Sequence, residues 1–540
     1  LIFEQPLRQS RGVVAPEFTY EQTDDTVSTP YIEGSSRGRN SSRSSINPPE
    51  PMSSIAALEI SIGATNGGDN DNACSQQSGG FKQLDDDESY SLRVDAEQGL
   101  AMLSAATQWG AMYGLETFSQ LFSNELIVGG LPLAIDDAPR YPWRGLLLDT
   151  ANHYLSMSAI LRTVDGLAAT KMNTLHWHIV DSYSFPYLSS AYPEIAQSGA
   201  WGAADEKLVY TPKDVEHVVA YANARGVRAV VEMDVPGHGF SWGLSNKYRE
   251  IICECPRYTD ELGHVDDVPL DVSKEQTYAV IQGLLSEFAR LFPDKYIHIG
   301  GDEVKFGCWA ESASINAFME EKGIAAGDYY SLEQYFFEQI RDMGVDGLGK
   351  KLVAWEEVFF SDSGGDNGAH GAWVGSEALP KESTVIEIWT GADYLATALD
   401  NGYDALMAYG WYLDRQNPVD GEGAWFWGDT WAQMYGVDPE PLGPEKGELA
   451  EDEQGQRGTR GRCLGGDASI WTEMTDAWGL DVAVWPRAAA VAERLWSPRD
   501  VKAANFAAPR LAAWRCRLAA RYGIRAHPIW SDFCSAIDGM

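Results

Sequence analysis

The sequence predicts an α/β protein: a (β/α)8 barrel of the TIM type preceded by a small α/β domain. Two observations carry this. Between residues 144 and 471, eight short apolar, β-prone runs recur with helical stretches between most of them. The residues closing those runs are carboxylates, imidazoles and aromatic rings, and a parallel barrel carries its working groups at the C-terminal ends of its strands.

Residues 1 to about 55, with "GSSRGRNSSRSSINPPEP", are rich in Ser, Arg, Pro and Asn and have no apolar period, so they read as an arm without a packed core. Residues 56–138 read as the small domain. "AALEISIG" and "DESYSLRVDA" alternate as strands do, and "GLAMLSAATQWGAMYGLETFSQLF" reads as helical. The barrel is placed at 139–500. Its runs are "RGLLLDT", "TLHWHIV", "RAVVEMD", "YIHIGGDE", "KLVAWEEV", "TVIEIW", "DALMAYG" and "LGGDASIW". The intervening "TPKDVEHVVAYANARG" shows how the helices are bounded: Thr211 is an N-cap, Pro212 a first helical residue and Gly226 a stop. Segments 361–383 and 413–462 are long, Gly-rich and acidic, and are expected to be insertions at the rim. Residues 501–540 read as a C-terminal helical segment.

A formal charge of -38 argues against nucleic acid and anionic membranes as partners, since their phosphates would be repelled. No run of about 18 apolar residues is present to span a bilayer. The low pI suits an acidic or extracellular compartment. The chain opens on Leu-Ile-Phe, which a removed signal peptide or a fragment would both give. Seven cysteines without a CxxC favour disulfides over a zinc site, with free thiols the alternative, and the sequon at Asn40 points the same way.

The run closures are Asp149, His178, Asp181, Asp234, Asp302, Glu303, Trp355, Glu356, Trp389, Tyr412 and Trp471. In "YIHIGGDEVKFGCW", two glycines break a buried-type strand just before adjacent carboxylates. Glycoside hydrolysis needs a protonated carboxyl beside the leaving oxygen and a second group to stabilise positive charge at the anomeric carbon. Trp355, Trp389 and Trp471 are placed to wall such a pocket and exclude water. "HWHIVD" offers a competing chemistry, because His176 and His178 face one side of a strand as a metallohydrolase HxH pair would. Only His238 and His298 lie near other strand ends, and no strand-end Lys completes that centre. In "EMDVPGHGFSW", Asp234 and His238 flank a turn and serve either a site or a loop lock.

Taken together, "RGLLLDTANHYLSM", "KMNTLHWHIVDSYSFP", "VPGHGFSWG", "HIGGDEVKFGCW", "WYLD" and "WPRAAAVAERLWS" resemble the β-N-acetylhexosaminidases of glycoside hydrolase family 20, of the eukaryotic lysosomal or secreted type. The resemblance runs from about residue 85 to 540. It implies a retaining exo-hydrolase of terminal β-linked GlcNAc or GalNAc, with no cofactor and no metal. The substrate's 2-acetamido oxygen is the nucleophile and an oxazolinium ion the intermediate. By the same resemblance Glu303 is general acid and base, Asp302 holds the acetamido N–H, and Tyr412 donates to the acetamido oxygen. Arg144 and Glu473 bind ring hydroxyls, Trp355, Trp389 and Trp471 line the pocket, and Asp181 and His238 support the acid. Cys308 is implied to pair with Cys253 or Cys255, and Cys516 with Cys534. Cys74 has no upstream partner for the family's N-terminal bridge.

In animal relatives, one subunit type has Asp followed by an apolar residue in the "WYLD" region and prefers neutral sugars. The other has Asn then Arg and accepts a 6-sulfate. Here Asp414 is followed by Arg415, a mixture, with Asp414 aligned on the binding position. The compartment implied is lysosomal, vacuolar or extracellular, the partner an oligosaccharide, and a homodimer is an open assembly. A non-catalytic sugar-binding barrel and the metallohydrolase are the alternatives of other classes.

Overall fold

The structure, a computed structural model, describes residues 55, 57–63, 80–95, 99–123, 126–127, 131–255, 268–361, 371–414, 430–439, 460–529 and 534. Asn40, Cys74, Arg415, the N-terminal arm up to residue 54, residues 362–370 of the first insertion and most of the second lie outside the described residues.

The small domain is a four-stranded sheet. β1 (Ala57–Ile62), β2 (Tyr90–Asp95), β3 (Leu100–Ala105) and β4 (Leu133–Asp137) lie in the order β1-β3-β2-β4, with β1 and β3 parallel and the other pairs antiparallel. The stretch expected to be wholly helical is therefore divided. Leu100–Ala105 is strand, because its alternate residues Ala101, Leu103 and Ala105 bury on one face while its backbone is bonded on both edges. α1 (Gln108–Gln120) begins only after Thr107, whose hydroxyl accepts the Gly110 N–H as an N-cap.

All eight predicted runs form strands: β5 (Trp143–Asp149), β6 (Thr174–His178), β7 (Arg228–Glu232), β8 (Tyr296–His298), β9 (Lys351–Trp355), β10 (Thr384–Ile388), β11 (Asp404–Met407) and β12 (Cys463–Ile470). They close into a parallel barrel, with β12 returning to pair with β5. Helices follow in turn: α2 (Met157–Ala169), α3 (Pro212–Asn223), α4 (Glu275–Leu291), α5 (Tyr329–Arg341), α6 (Ala392–Asp400), α7 (Arg487–Trp496) and α8 (Ala504–Tyr522). Among the described residues no α-helix separates β9 from β10. α3 begins as its sequence requires: Thr211 and Asp214 form a reciprocal capping box, and Gly226 takes a φ of 72° beyond the helix end.

Arg144 is the site residue that the structure moves elsewhere. It stands at the N-terminal end of β5, away from the loops that carry chemistry, and is 0% exposed. Its guanidinium donates to Glu88 Oε2 and Oε1 at 2.7 and 3.1 Å and to the Lys171 and Tyr141 carbonyls. Burial alone would push the Glu88 carboxyl up, but Arg144 and Lys82 together hold it down to about 2. Trp496, at the end of α7, lies 5.0 Å from the Arg144 guanidinium and donates its indole N–H to Asp137 of β4. Arg144 and "ERLWS" thus fasten the small domain to the base of the barrel, and Arg144 is not a substrate ligand.

Cys255 and not Cys253 is bonded to Cys308, and Cys516 is bonded to Cys534. Cys253 is a buried thiol within reach of the Leu270 carbonyl, and burial raises its pKa.

Candidate active site

The pocket is built on one layer of the barrel. Pairing register places Asp149 beside His178, His178 beside Glu232 and Glu232 beside His298, across four adjacent strands near their C-terminal ends. Glu232 joins the layer: its carboxylate lies 2.7 Å from His178 Nδ1 and 3.2 Å from His298 Nδ1, and it accepts the Trp355 indole N–H at 2.8 Å. His176 sits between Glu232 and Asp467 at 3.1 and 3.0 Å. Burial disfavours charge on the imidazoles, yet these carboxylates outweigh it and raise His176 to about 10 and His178 well above its usual range. His176, His298 and Glu387 have ligand atoms close enough to hold a metal, as do two groups around Asp234. In this arrangement, though, His176 and His298 are already bound by carboxylates.

From this floor a chain of charged groups climbs to the pocket. His178 Nε2 meets Asp181 at 3.0 Å, His238 Nδ1 meets Asp181 at 3.8 Å, and His238 Nε2 lies 3.4 Å from Asp302 and 3.7 Å from Glu303. Asp234, Asp181 and Asp302 surround His238, and their negative charge overcomes burial to keep the imidazole protonated well above its usual range. Asp234 itself is pushed up by burial and by the Asp302 charge.

The two glycines ahead of the acid pair have a steric cause. Gly300 has a φ of 67°, and a Cβ there would fall 1.8 Å from Asp234 Oδ1; Gly301 has a φ of 100°. The chain turns sharply against Asp234 on leaving β8. Glu303 then adopts a φ of 48°, unusual for a non-glycine residue. Neighbours in extended chain point to opposite sides, but this turn sends Asp302 and Glu303 into the same pocket. They differ in depth: the Asp302 side chain is 14% exposed and that of Glu303 40%. Asp302 Oδ1 is buried with no hydrogen-bond partner among the described residues, an acceptor available to a substrate N–H. The Cys255–Cys308 bond ties the loop after β7, which carries His238, to the segment just after Glu303. It closes a loop of 53 residues, worth about 4 kcal/mol on a chain-entropy estimate.

Aromatic rings complete the walls. Trp355 is buried, Trp389 donates its indole N–H to Glu357 at 2.9 Å, and the Trp355 and Trp471 rings lie 6.4 Å apart. Anchored from behind through their N–H groups, Trp355 and Trp389 keep their faces for the pocket. Tyr412 follows β11 on a segment bonded to β12, the Leu413 N–H donating to the Ser469 carbonyl. Burial and the Asp414 charge raise its pKa, so its hydroxyl keeps its proton. Glu473 is pushed up to about 8 by burial and the neighbouring carboxylates of Asp149, Asp414 and Asp181, so it is protonated at neutral pH and can donate. The cavity measures about 340 Å³. That is near the lower end of ligand pockets, roughly 300–1,000 Å³, and suits one sugar unit rather than a long chain.

Every residue expected from the sequence to touch substrate lines this cavity except Arg144: Asp181, His238, Asp302, Glu303, Trp355, Trp389, Tyr412, Asp414, Trp471 and Glu473. Asn152 and Tyr183 line it as well and were not anticipated. Their signal was positional: each follows a barrel strand within a few residues, where a working group belongs.

A barrel with adjacent carboxylates at the mouth of a tryptophan-walled, one-sugar pocket defines a hydrolase of the glycosidase type. Sequence comparison makes the class specific. Residues 141–499 match the family described as glycosyl hydrolase family 20, catalytic domain, and residues 15–121 match a beta-acetyl hexosaminidase like domain. The chain belongs to glycosyl hydrolase family 20. It is 36% identical over 461 residues to beta-hexosaminidase subunit A1 of Dictyostelium discoideum, covering 85% of this chain and 78% of the relative. It is 37% identical over 461 residues to beta-hexosaminidase subunit beta of Mus musculus, covering 84% and 77%. Among solved structures it is similar to the chitobiase of Flavobacterium johnsoniae, with a TM-score of 0.66, 31% identity, and coverage of 82% of this chain and 61% of that one. The exo β-N-acetylglucosaminidase of Vibrio harveyi, with a TM-score of 0.68 and 24% identity over 89% of this chain and 76% of that one, shares the fold.

Proposed function

We propose that the chain is a retaining exo-β-N-acetylhexosaminidase in which Asp302 and Glu303 divide the work of substrate-assisted hydrolysis. The observation that carries the assignment is their placement, adjacent in sequence yet in one pocket at different depths. Glu303, at the open mouth, protonates the departing glycosidic oxygen. As that C–O bond breaks, the acetamido carbonyl oxygen bonds to the anomeric carbon on the opposite face and an oxazolinium ion forms. Asp302 Oδ1 accepts the acetamido N–H and offsets the charge that develops there. Tyr412 donates to the acetamido oxygen and aims it. Glu303, now a carboxylate, takes a proton from the water that opens the ring and restores the configuration. His238 and Asp181 position the pair, and the three tryptophans exclude competing water.

The enzyme is expected to release chromophore from aryl β-GlcNAc and β-GalNAc glycosides. A chain that binds these sugars without cleaving either would instead be a lectin-like barrel.

Asp414 and Glu473 serve the hydroxyls at the far end of the ring. An ionised Asp414 hydrogen-bonds a neutral C6 hydroxyl and repels a 6-sulfate. Neutral sugars are therefore preferred, and Asp414→Asn should raise the rate on a 6-sulfated aryl GlcNAc relative to the neutral one by about tenfold. Equal rates on both substrates in the unmodified enzyme would contradict this. Two disulfides support an oxidising compartment, lysosomal, vacuolar or extracellular. A homodimer is proposed because the relatives are named as subunits. No helix among the described residues is long and apolar enough to cross a membrane.

A further inference from the structure

With Arg144 committed to the base of the barrel, the hydroxyl-binding wall of the pocket has no guanidinium among the described residues. Its described lining holds five carboxylates and one imidazole, and neither Lys nor Arg. Asn152 lies in that wall. Its backbone N–H donates to Asp149 Oδ1, and its carbonyl accepts the Trp201 indole N–H at 3.2 Å. Asp149 Oδ2 in turn accepts the Thr472 N–H at 2.8 Å, and His153 N donates to Thr472 Oγ1 at 2.9 Å. The loops after β5 and β12 are thereby locked together, which sets Asn152 next to the segment carrying Glu473. The Asn152 side chain takes no part in that lock. The residue is 5% exposed, it lines the cavity, and its Oδ1 is buried with no hydrogen-bond partner among the described residues. An unsatisfied buried amide oxygen costs stability unless a ligand satisfies it.

We infer that Asn152 is a specificity-determining residue of this pocket, its carboxamide reading, beside Glu473, the sugar hydroxyls at the end of the ring away from the reacting carbon. The inference rests on the glycosidase reading above, which puts the anomeric carbon at Asp302 and Glu303. A carboxamide supplies a donor and an acceptor without charge, and a hydroxyl needs both. In a wall already rich in carboxylates, a neutral reader adds no further repulsion. Glu473, protonated at neutral pH, complements it as a donor.

The test compares the unmodified enzyme with Asn152→Ala and Asn152→Leu on an aryl β-GlcNAc and its 3-, 4- and 6-deoxy analogues. Both variants should fold, because the backbone of Asn152 and not its side chain makes the loop's hydrogen bonds; thermal unfolding checks this. Leu fills the space that water could enter beside Ala. The expected result is a fall of about ten- to a hundredfold in kcat/KM on the parent glycoside. On one deoxy analogue, the unmodified enzyme should be slowed to a similar degree and the variants should add less than about twofold. A uniform loss on all four substrates, or no loss, would overturn the inference. Failure of the unmodified enzyme to cleave the parent glycoside would instead count against the glycosidase reading itself.

Discussion

Glu303→Gln will slow hydrolysis of a natural GlcNAc linkage by about a thousandfold or more, but that of an aryl glycoside with an acidic phenol by only about tenfold. The difference follows from what Glu303 supplies. A sugar alkoxide cannot leave without a proton, whereas an acidic phenolate needs little help. Each tenfold loss corresponds to about 1.4 kcal/mol of transition-state stabilisation. Asp302→Asn should behave differently, costing about a hundred- to a thousandfold on both substrates, because the charge it offsets develops whatever the leaving group. The comparison is checked by steady-state kinetics on the two substrate types. Equal losses for both substrates in both variants would remove the division of labour. His238 touches both carboxylates, so each variant also perturbs the other's setting, and the ratio between substrates is the informative quantity.

Much of this arrangement was legible in the sequence because barrel strands are buried on both faces. Runs such as "RAVVEMD" cannot be read as surface helix, and all eight became strands. The pocket tryptophans were legible for a related reason: Trp355, Trp389 and Trp471 stand at strand ends, where packing alone does not call for three indoles. Leu100–Ala105 was misread since six apolar-rich residues next to a true helix have no decisive period, and only pairing on both edges makes them strand. Arg144 was misplaced because a strand of seven residues has its two ends about 20 Å apart, and a motif spanning it does not say which end faces substrate. Its partner Glu88 lies 56 residues earlier, in another domain, so the ion pair that claims it left no local mark. Asn152 escaped notice for the opposite reason: a neutral amide after a strand is ordinary until its oxygen is found buried without a partner.

The central claim is that the nucleophile belongs to the substrate and not to a carboxylate of the chain. Its most direct test is to compare an aryl β-GlcNAc with the corresponding β-glucoside, in which hydroxyl replaces the acetamido group, while the intact protein is followed by mass spectrometry during turnover. The lost intramolecular attack should lower the rate by about four orders of magnitude or more, and no sugar should be found covalently attached to the protein. Comparable turnover of the glucoside, or a glycosyl ester trapped on Asp302, Glu303 or any other carboxylate, would contradict the account.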